Sequence, residues 1–127
     1  MKLTEMVEKY YFHDSGIAKV DFDQEKREAT LLIDFCNWAQ NDYSDDQEEN
    51  IILKLVFGNA NSISGEKPLH NINRILDCKM VENGHAVEFF SERADTVNRK
   101  EEYLPLRIVA EDVTVTQVGV GWYEPPS

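Results

Sequence analysis

Apolar residues near the start of the chain recur at intervals of three and four, whereas those of later segments recur at every second position. The early set is Leu3, Met6, Val7 and Tyr10. Because side chains at this spacing lie on one face of a helix, the sequence predicts a short amphipathic helix within the first eleven residues, packed against a sheet. The alternation that follows is typical of half-buried β-strands, so the rest of the chain is expected to be mostly β.

Three strands are predicted in the first half of the chain. The first two are separated by a charged turn at 24–27 and place alternate apolar residues on one face, which predicts an antiparallel hairpin. The run 51–57 is apolar on one face and largely apolar on the other, as in a central strand. The hairpin residues predicted to face the core are Ala18, Val20, Phe22, Ala29, Leu31, Ile33 and Phe35.

The dipeptide Asn83-Gly84 gives the clearest local prediction in the chain. It supplies the positive φ angles that a type I′ hairpin turn requires, and it lies between apolar and charged residues that pair consistently. A hairpin is therefore predicted over 76–90, with its strands joined at this dipeptide. The predicted pairs, counted outward from the turn, are Glu82 with His85, Met80 with Val87, Lys79 with Glu88 and Cys78 with Phe89.

Two further β-rich segments lie toward the C-terminus, at 104–108 and 113–122. Pro105 has no backbone N–H to donate, so the first of them is predicted to lie at a sheet edge or to begin a strand. The last four residues, 124–127, are expected to lie outside the fold. Long loops, which are candidates for function, are predicted at 37–50, 58–70 and 91–102. The last of these three segments alternatively holds a short helix.

Together these patterns predict one α+β domain, mostly β, over residues 1–127. Its expected architecture is a twisted antiparallel sheet, or a partly open barrel or sandwich, with a short N-terminal helix. A length of 127 residues and a hydrophobic content of 42% are ordinary for a single globular domain.

A cytoplasmic protein with no membrane partner is expected. No apolar run approaches the roughly 20 residues that a membrane span needs, and the first residues lack the apolar core of a secretory signal. Cys36 and Cys78 are expected to stay reduced, because two strand-like cysteines are too few for a disulfide framework.

The chain is strongly acidic, with 13 Lys and Arg against 24 Asp and Glu and a formal net charge of −11. Such a field repels phosphate backbones, so nucleic-acid binding is not expected. An acidic balance either serves solubility alone or attracts a basic protein partner, and the composition leaves both interpretations open.

Sequence motifs that would identify an enzyme are missing: there is no Gly-x-Ser-x-Gly, His-Glu-x-x-His, Gly-x-Gly-x-x-Gly or Walker phosphate loop. His13, Asp14 and Ser15 are the residue types of a hydrolytic triad. Consecutive residues cannot point at one another as nucleophile, base and orienting acid, however. They are interpreted as a turn before Gly16 or as part of a surface site. The chain is accordingly predicted not to be an enzyme.

No cofactor or metal is predicted. The three histidines and two cysteines lack the short ligand spacing of a zinc site. The acidic segment that begins at Asp42 departs from an EF-hand, because Gln47 stands where the loop glycine is needed and Leu53 where the last glutamate is needed.

The loop at 37–50 is the main candidate for a binding surface. It combines aromatic residues with many acids, and no basic residue lies between Arg27 and Lys54. Aromatic rings supply contact area and carboxylates pair with arginine, so this pattern favours a basic protein partner. A simpler interpretation of Trp38 is that it covers the sheet core. The residues predicted to contact the partner are Trp38, Asp42, Tyr43, Asp45, Asp46, Glu48 and Glu49.

Two runs in the first third of the chain carry a resemblance to known proteins. They are Tyr-Phe-His-Asp-Ser-Gly-Ile at 11–17 and Leu-Leu-Ile-Asp-Phe-Cys-Asn-Trp at 31–38. The chain thereby resembles small uncharacterised bacterial proteins related to the immunity proteins of polymorphic toxin systems. The resemblance implies an acidic cytoplasmic inhibitor that binds a toxin domain and has no catalytic residues of its own.

Three hypotheses about function follow from the sequence. The first is a non-catalytic protein-binding module, in its narrower form an immunity-like inhibitor of a basic toxin domain. The second is a homo-oligomeric β protein, in which an exposed sheet edge pairs with itself to form a homodimer. The third is an enzyme or small-molecule binder whose site lies around His13 and Asp14, with His85 contributed from elsewhere in the chain.

Overall fold

The computed structural model describes residues 1–65, 73–95 and 100–121. Within them the chain forms one short helix, α1 (Leu3–Lys9), and eight β-strands. This confirms the predicted fold class, mostly β with a short N-terminal helix. In chain order the strands are β1 (Gly16–Asp23), β2 (Glu28–Cys36), β3 (Asn50–Gly58), β4 (Ser62–Gly65), β5 (Asn73–Val81), β6 (Ala86–Asp95), β7 (Lys100–Val109) and β8 (Asp112–Val120).

All eight strands belong to one antiparallel sheet in the order β4-β7-β6-β5-β1-β2-β3-β8. The sheet consists of two halves of four strands, and among the described residues the strands of the two halves pair with each other only where β1 meets β5. That junction contains two residue pairs, Gly16 with Arg74 and Ile17 with Asn73. Neighbouring strands such as β2 and β3, or β6 and β7, instead pair along most of their length. The sheet can therefore bend sharply between its two halves.

Short connections bring the two ends of the sheet together. β8 is the last strand of the sheet and β7 is the second, yet only residues 110–111 separate them in the chain. The connection 59–61 likewise leads from β3 to β4, and Asn61 N–H donates to Val109 O at 2.8 Å. Because a two-residue connection spans only about 10 Å, the sheet must curl until its ends lie close, although it does not close into a ring.

The core lies between the two halves of the curled sheet. The ring of Phe12 makes edge-to-face contacts with Phe35 of β2, at a centroid distance of 5.7 Å, and with Phe89 of β6, at 5.5 Å. α1 adds the buried side chains of Leu3 and Met6. Burying a large apolar side chain stabilises the folded state by about 1.5–3 kcal/mol. The strand residues most fully buried in the core include Leu31, Ile33, Leu55, Phe57, Ile75, Val87, Leu106 and Ile108.

The predicted hairpin is confirmed, and so is its register. His85 N–H donates to Glu82 O at 3.2 Å, while Asn83 and Gly84 take φ angles of 57° and 88°, as the predicted turn requires. Glu82 also lies in the left-handed region, at φ 51°, so regular strand pairing stops just short of the predicted pair of Glu82 with His85. The confirmed pairs are Cys78 with Phe89, Lys79 with Glu88 and Met80 with Val87.

A bulge in β1 lies at the start of the alternation that the sequence predicts. The register between β1 and β2 slips between Ile17 and Lys19. Beyond it the predicted alternation is confirmed, since Ala18, Val20 and Phe22 are half-buried between exposed polar residues, while Ile17, before the bulge, is 1% exposed and belongs to the core. A bulge adds one residue to one strand and reverses the alternation across it, which a regular two-residue pattern does not reveal.

Strand residues occupy part of two of the three predicted loops. The segment 58–70 contains β4, and most of 91–102 is taken by the end of β6 and the start of β7 rather than by a loop or short helix. Backbone pairing with a neighbouring strand outweighs the loop-like composition of both segments. Pro105 consequently lies inside β7, not at its start, and the described pairing of β7 with β4 stops at the adjacent Leu106.

The C-terminal part of the chain is described as far as Gly121. The last predicted strand is confirmed up to Val120, while Trp122 and the predicted tail 124–127 lie outside the described residues. In the part of the chain that the structure describes, no helix has the length and apolar character needed to cross a membrane.

Candidate binding surface

The loop between β2 and β3 is closed at its base by hydrogen bonds. The chain leaves β2 through a single 3-10 turn over Asn37–Ala39. Trp38 N–H donates to Glu49 O at 3.1 Å, and the side-chain amide of Asn37 donates to Glu48 O at 2.9 Å. These bonds join the first residues of the loop to its last ones. The acidic segment is therefore held in a compact loop.

Local hydrogen bonds also fix the tip of this loop. Ser44 N–H donates to Gln47 Oε1 at 2.9 Å, and Gln47 N–H donates to Ser44 O at 2.9 Å. The Ser44 hydroxyl is bonded to the Asp46 carboxylate. Reciprocal bonds between side chain and backbone define a turn without help from a strand ladder. The loop therefore presents its acids from a defined backbone.

Gln40 joins the loop to the segment that precedes β1. Its Oε1 accepts from Tyr11 N–H at 2.9 Å, and its Nε2 donates to Tyr11 O at 2.7 Å and to Cys36 O at 3.0 Å. The side-chain amide thus binds both backbone groups of Tyr11, as a neighbouring strand would. Bonds of this kind contribute roughly 0.5–1.5 kcal/mol each. The loop and the Tyr11 segment consequently form one continuous surface.

Trp38 lies on this surface, with half of its side chain exposed at 50%. The interpretation that Trp38 covers the sheet core is therefore wrong. The neighbouring part of the core is already filled by Phe35, whose ring packs edge-to-face against Tyr10 and Phe12. An indole that keeps half of its surface in water offers apolar area for a partner to cover.

Tyr43 lies among the carboxylates of the loop. Desolvation raises the pKa of its hydroxyl, and the negative charges of Glu49, Asp45, Asp46 and Glu48 raise that pKa further. The phenol therefore stays neutral and keeps its proton to donate. These five side chains line one shallow hollow of about 380 Å³. The structure thus brings together five of the seven residues predicted to contact a partner, leaving out Trp38 and Asp42.

A larger groove lies beside Gln40, between α1, the loop and β5. Its volume is about 630 Å³, and carboxylates reach it from all three of these elements. Asp42 belongs to this groove, whereas the hollow around Tyr43 holds the other predicted acids. The charged and aromatic side chains that line the groove are Glu8, Lys9, Tyr10, Tyr11, Phe12, His13, Asp42 and Asp77.

Most of this groove is invisible to sequence reasoning. Of its charged residues only Asp42 is predicted to contact a partner, while the sequence pattern predicts Glu8 in a helix and Asp77 in a strand. The only sequence feature that hints at the groove is the polar and aromatic run at 8–13, at the end of the helix and directly after it, which is too hydrophilic to be wholly core. Contacts between distant segments, not a local motif, create this site.

Comparisons with known proteins assign no family to these features. The chain matches no protein-family model, no curated protein and no solved structure. The two runs that carry the resemblance, 11–17 and 31–38, are neighbours in the fold, since Gly16 pairs with Asp34. What the protein binds must be argued from its own surface.

His13, Asp14 and Ser15 form a turn that docks on β5, as one of the two sequence interpretations states. Asp14 takes a φ of 67°, and its N–H donates to Ile75 O at 2.9 Å. Ser15 is fully buried, and its Oγ accepts a hydrogen bond from Cys36 N–H at 2.9 Å. The hydroxyl therefore stabilises the fold, and it is not presented to solvent as a nucleophile.

The residues of the alternative catalytic site do not converge. His13 Nδ1 lies 2.8 Å from Leu76 O, and its Nε2 lies 3.6 Å from Asp14 Oδ1. Asp14 also faces the guanidinium of Arg74 at 3.5 Å, which balances its charge. His85 lies in the turn beyond the other end of β5, roughly 16 Å along the strand from Leu76. The structure gives these groups no shared position for a reacting atom.

Metal ligands and reactive thiols are also not assembled. Among the residues with a described position, no group of three or more His, Cys, Asp or Glu could hold a metal ion. Cys36 and Cys78 are free, and burial raises the pKa of both thiols. The Cys36 thiol donates to Asp14 O at 3.2 Å. Thiols that stay protonated in such surroundings are poor nucleophiles.

Proposed function

We propose that this protein is a non-catalytic binding module whose loop at 37–50 contacts a positively charged region of another protein. One observation carries the proposal: Trp38, half exposed, stands at the base of an ordered loop whose carboxylates lie close together. No basic residue between Arg27 and Lys54 neutralises them from within the same stretch. An apolar anchor at the base of an acidic loop is complementary to a basic surface.

The chemistry of this surface favours arginine on the partner. Tryptophan and arginine are among the residues that most often dominate binding energy at interfaces. A guanidinium group stacks on an indole face and also forms paired hydrogen bonds with a carboxylate. A partner with arginines around a shallow apolar depression would match Trp38 in both shape and charge.

The acidic loop would act before contact is made. Clustered negative charge attracts a basic partner during diffusion and raises the association rate more than the final affinity. Its reach is limited to about 8 Å at physiological ionic strength, because salt screens charges beyond that distance. We expect the loop acids to govern the association rate and its salt dependence, and Trp38 to govern the dissociation rate.

The resemblance carried by 11–17 and 31–38 supports a narrower form of the proposal. In that form the partner is a basic toxin domain, which this protein inhibits by covering its active surface. Inhibition by coverage needs no catalytic residue in the inhibitor. The free thiols of Cys36 and Cys78 suit a reducing compartment and support a cytoplasmic site of action.

The test is to recover the partner by pull-down from the cells that make the protein and to measure its binding to Trp38→Ala. A central tryptophan anchor is worth at least about 2 kcal/mol, so the dissociation constant should rise about 30-fold. The free energy of unfolding should change by less than about 0.5 kcal/mol, because the side chain is half exposed. Gln24→Ala is the control, since Gln24 is exposed in the turn between β1 and β2, at the other end of β2 from the loop, and it should leave binding unchanged. Equal binding by Trp38→Ala and wild type would contradict the proposal.

A second proposal is self-association through β8, which is an end strand of the described sheet. The run 113–121 carries no charged residue, although exposed edge strands are usually protected by charges. Val118 and Val120 are both more than half exposed, and Met1 bonds the edge only at Val113. Light scattering at rising concentration should show a dimer that Val118→Lys weakens. A single-chain mass at every concentration would contradict self-association.

A further inference from the structure

We infer that the groove beside the loop is the subsite for one arginine side chain of the partner, with Asp42 and Asp77 binding its guanidinium and the rings of Tyr11 and His13 stacking on it. This inference rests on the proposed function and names the chemical group that enters this part of the surface. The groove lies close to Trp38 in the chain, because Gln40, two residues after Trp38, bonds to Tyr11 and lines the groove itself.

The size of the groove suits a side chain. Its volume of about 630 Å³ lies in the range of small-ligand sites, which are far smaller than an interface between two proteins. The loop is attached to the wall of the groove through Gln40. The groove therefore adjoins the surface on which a partner of the loop would rest.

The charge of the groove selects a cation. Three carboxylates, those of Glu8, Asp42 and Asp77, line it against the single ammonium of Lys9. Lys9 Nζ lies 5.4 Å from the centroid of the Tyr10 ring, so the groove wall already holds one cation over an aromatic face. Two negative charges remain in excess. An anionic ligand would be repelled by them.

The aromatic wall selects arginine over lysine. Tyr11 is 56% exposed, and its ring lies 5.8 Å from that of His13 with the two planes inclined at 34°. Gln40 holds the backbone of Tyr11, and the contact of Nδ1 with Leu76 O holds the ring of His13. A planar guanidinium stacks on such rings, whereas a compact, strongly hydrated ammonium gains less from them.

Asp77 is held in place by a contact within its own strand. Its Oδ1 accepts a hydrogen bond from Cys78 N–H at 2.9 Å, which fixes the carboxylate at the edge of β5. An arginine bound to a carboxylate commonly uses two parallel N–H donors. Asp42, from the loop, supplies a second carboxylate in the same groove. The pair thus comes from two elements that are far apart in sequence.

The test is a titration of the ¹⁵N-labelled full chain with N-acetyl-arginine amide at constant ionic strength. Amide resonances of 8–13, 40–42 and 76–78 should shift and saturate with a dissociation constant on the order of millimolar. N-acetyl-citrulline amide, which has nearly the same shape but no charge, should shift them at least tenfold less at the same concentration. Equal binding of citrulline would show a site for neutral polar groups and would overturn the inference, as would an absence of saturable shifts.

Two pairs of substitutions show where on the acidic surface the arginine amide binds. Asp42→Asn with Asp77→Asn removes two charges without changing side-chain size, and should weaken arginine amide binding at least tenfold. Asp45→Asn with Asp46→Asn removes the same charge from the neighbouring hollow and should change binding less than twofold. Equal weakening by both pairs would show that the probe senses only the general negative field, which would overturn the subsite.

The experiments can overturn the arginine subsite without overturning the proposed function. The titration contains no protein partner. If the chain does not bind N-acetyl-arginine amide, the subsite is overturned, and the Trp38→Ala measurement still decides the proposed function. A partner whose binding depends on Trp38 but is unchanged by the Asp42→Asn, Asp77→Asn pair would equally overturn the subsite while the function stands.

Discussion

Ser15 illustrates how a single polar residue inside the core holds separate elements together. It is fully buried; its Oγ accepts from Cys36 N–H at 2.9 Å, and its carbonyl accepts from Ile75 N–H at 2.7 Å. Ser15→Ala would leave the Cys36 N–H buried without a partner and should lower the free energy of unfolding by about 1–3 kcal/mol. Urea unfolding measures this loss. Ser62→Ala, at an exposed position, is the control, and an equal loss in both variants would show that the buried bond is unimportant.

At the scale of elements, the β5–β6 hairpin depends on backbone angles that few residues adopt. Gly84 has a φ of 88°, and a Cβ at this position would contact nothing within 4 Å. Gly84→Val should therefore destabilise the protein through backbone strain alone, by about 1–2 kcal/mol. Gly84→Asn should cost clearly less, because asparagine tolerates the left-handed region. If the two variants unfold at the same urea concentration, strain at this turn is not the cause.

Elements with a local signal can be predicted from the sequence, and those created by distant pairing cannot. Asn83-Gly84 encodes its own turn, so the register of the hairpin follows by counting. The bulge beside Ile17 depends on how β1 meets two neighbours at once, on β2 and on β5. β4 is four residues long and has a loop-like composition; it is a strand because it pairs with β7.

The candidate binding surface also has one part that the local sequence predicts and one part that depends on contacts between distant segments. The acids of the loop are contiguous in the chain, so their grouping is predictable from sequence, although the exposure of Trp38 is not. The groove needs the bond between Tyr11 and Gln40, which are 29 residues apart, and the docking of His13 on β5. No pattern within one segment encodes such contacts. The site therefore becomes visible only when the fold is known.

At the scale of the whole molecule, the question is whether the negative charge acts through its position or through its total. A net charge of −11 attracts any basic protein weakly, and a partner that sensed only this total would not distinguish one face from another. If the loop at 37–50 is the contact surface, charges there should matter far more than equal charges elsewhere. Two variants of equal net charge separate these cases.

The most direct test of the loop as the contact surface is the association rate of the recovered partner, measured by stopped flow at several salt concentrations. One variant neutralises Asp45, Asp46, Glu48 and Glu49; its control neutralises the exposed acids Glu5, Asp21, Glu25 and Glu28. The loop variant should associate about tenfold more slowly than wild type at low salt, with a weaker dependence on salt, while the control stays within about twofold. Equal rates for the two variants would contradict the assignment of this loop as the binding surface.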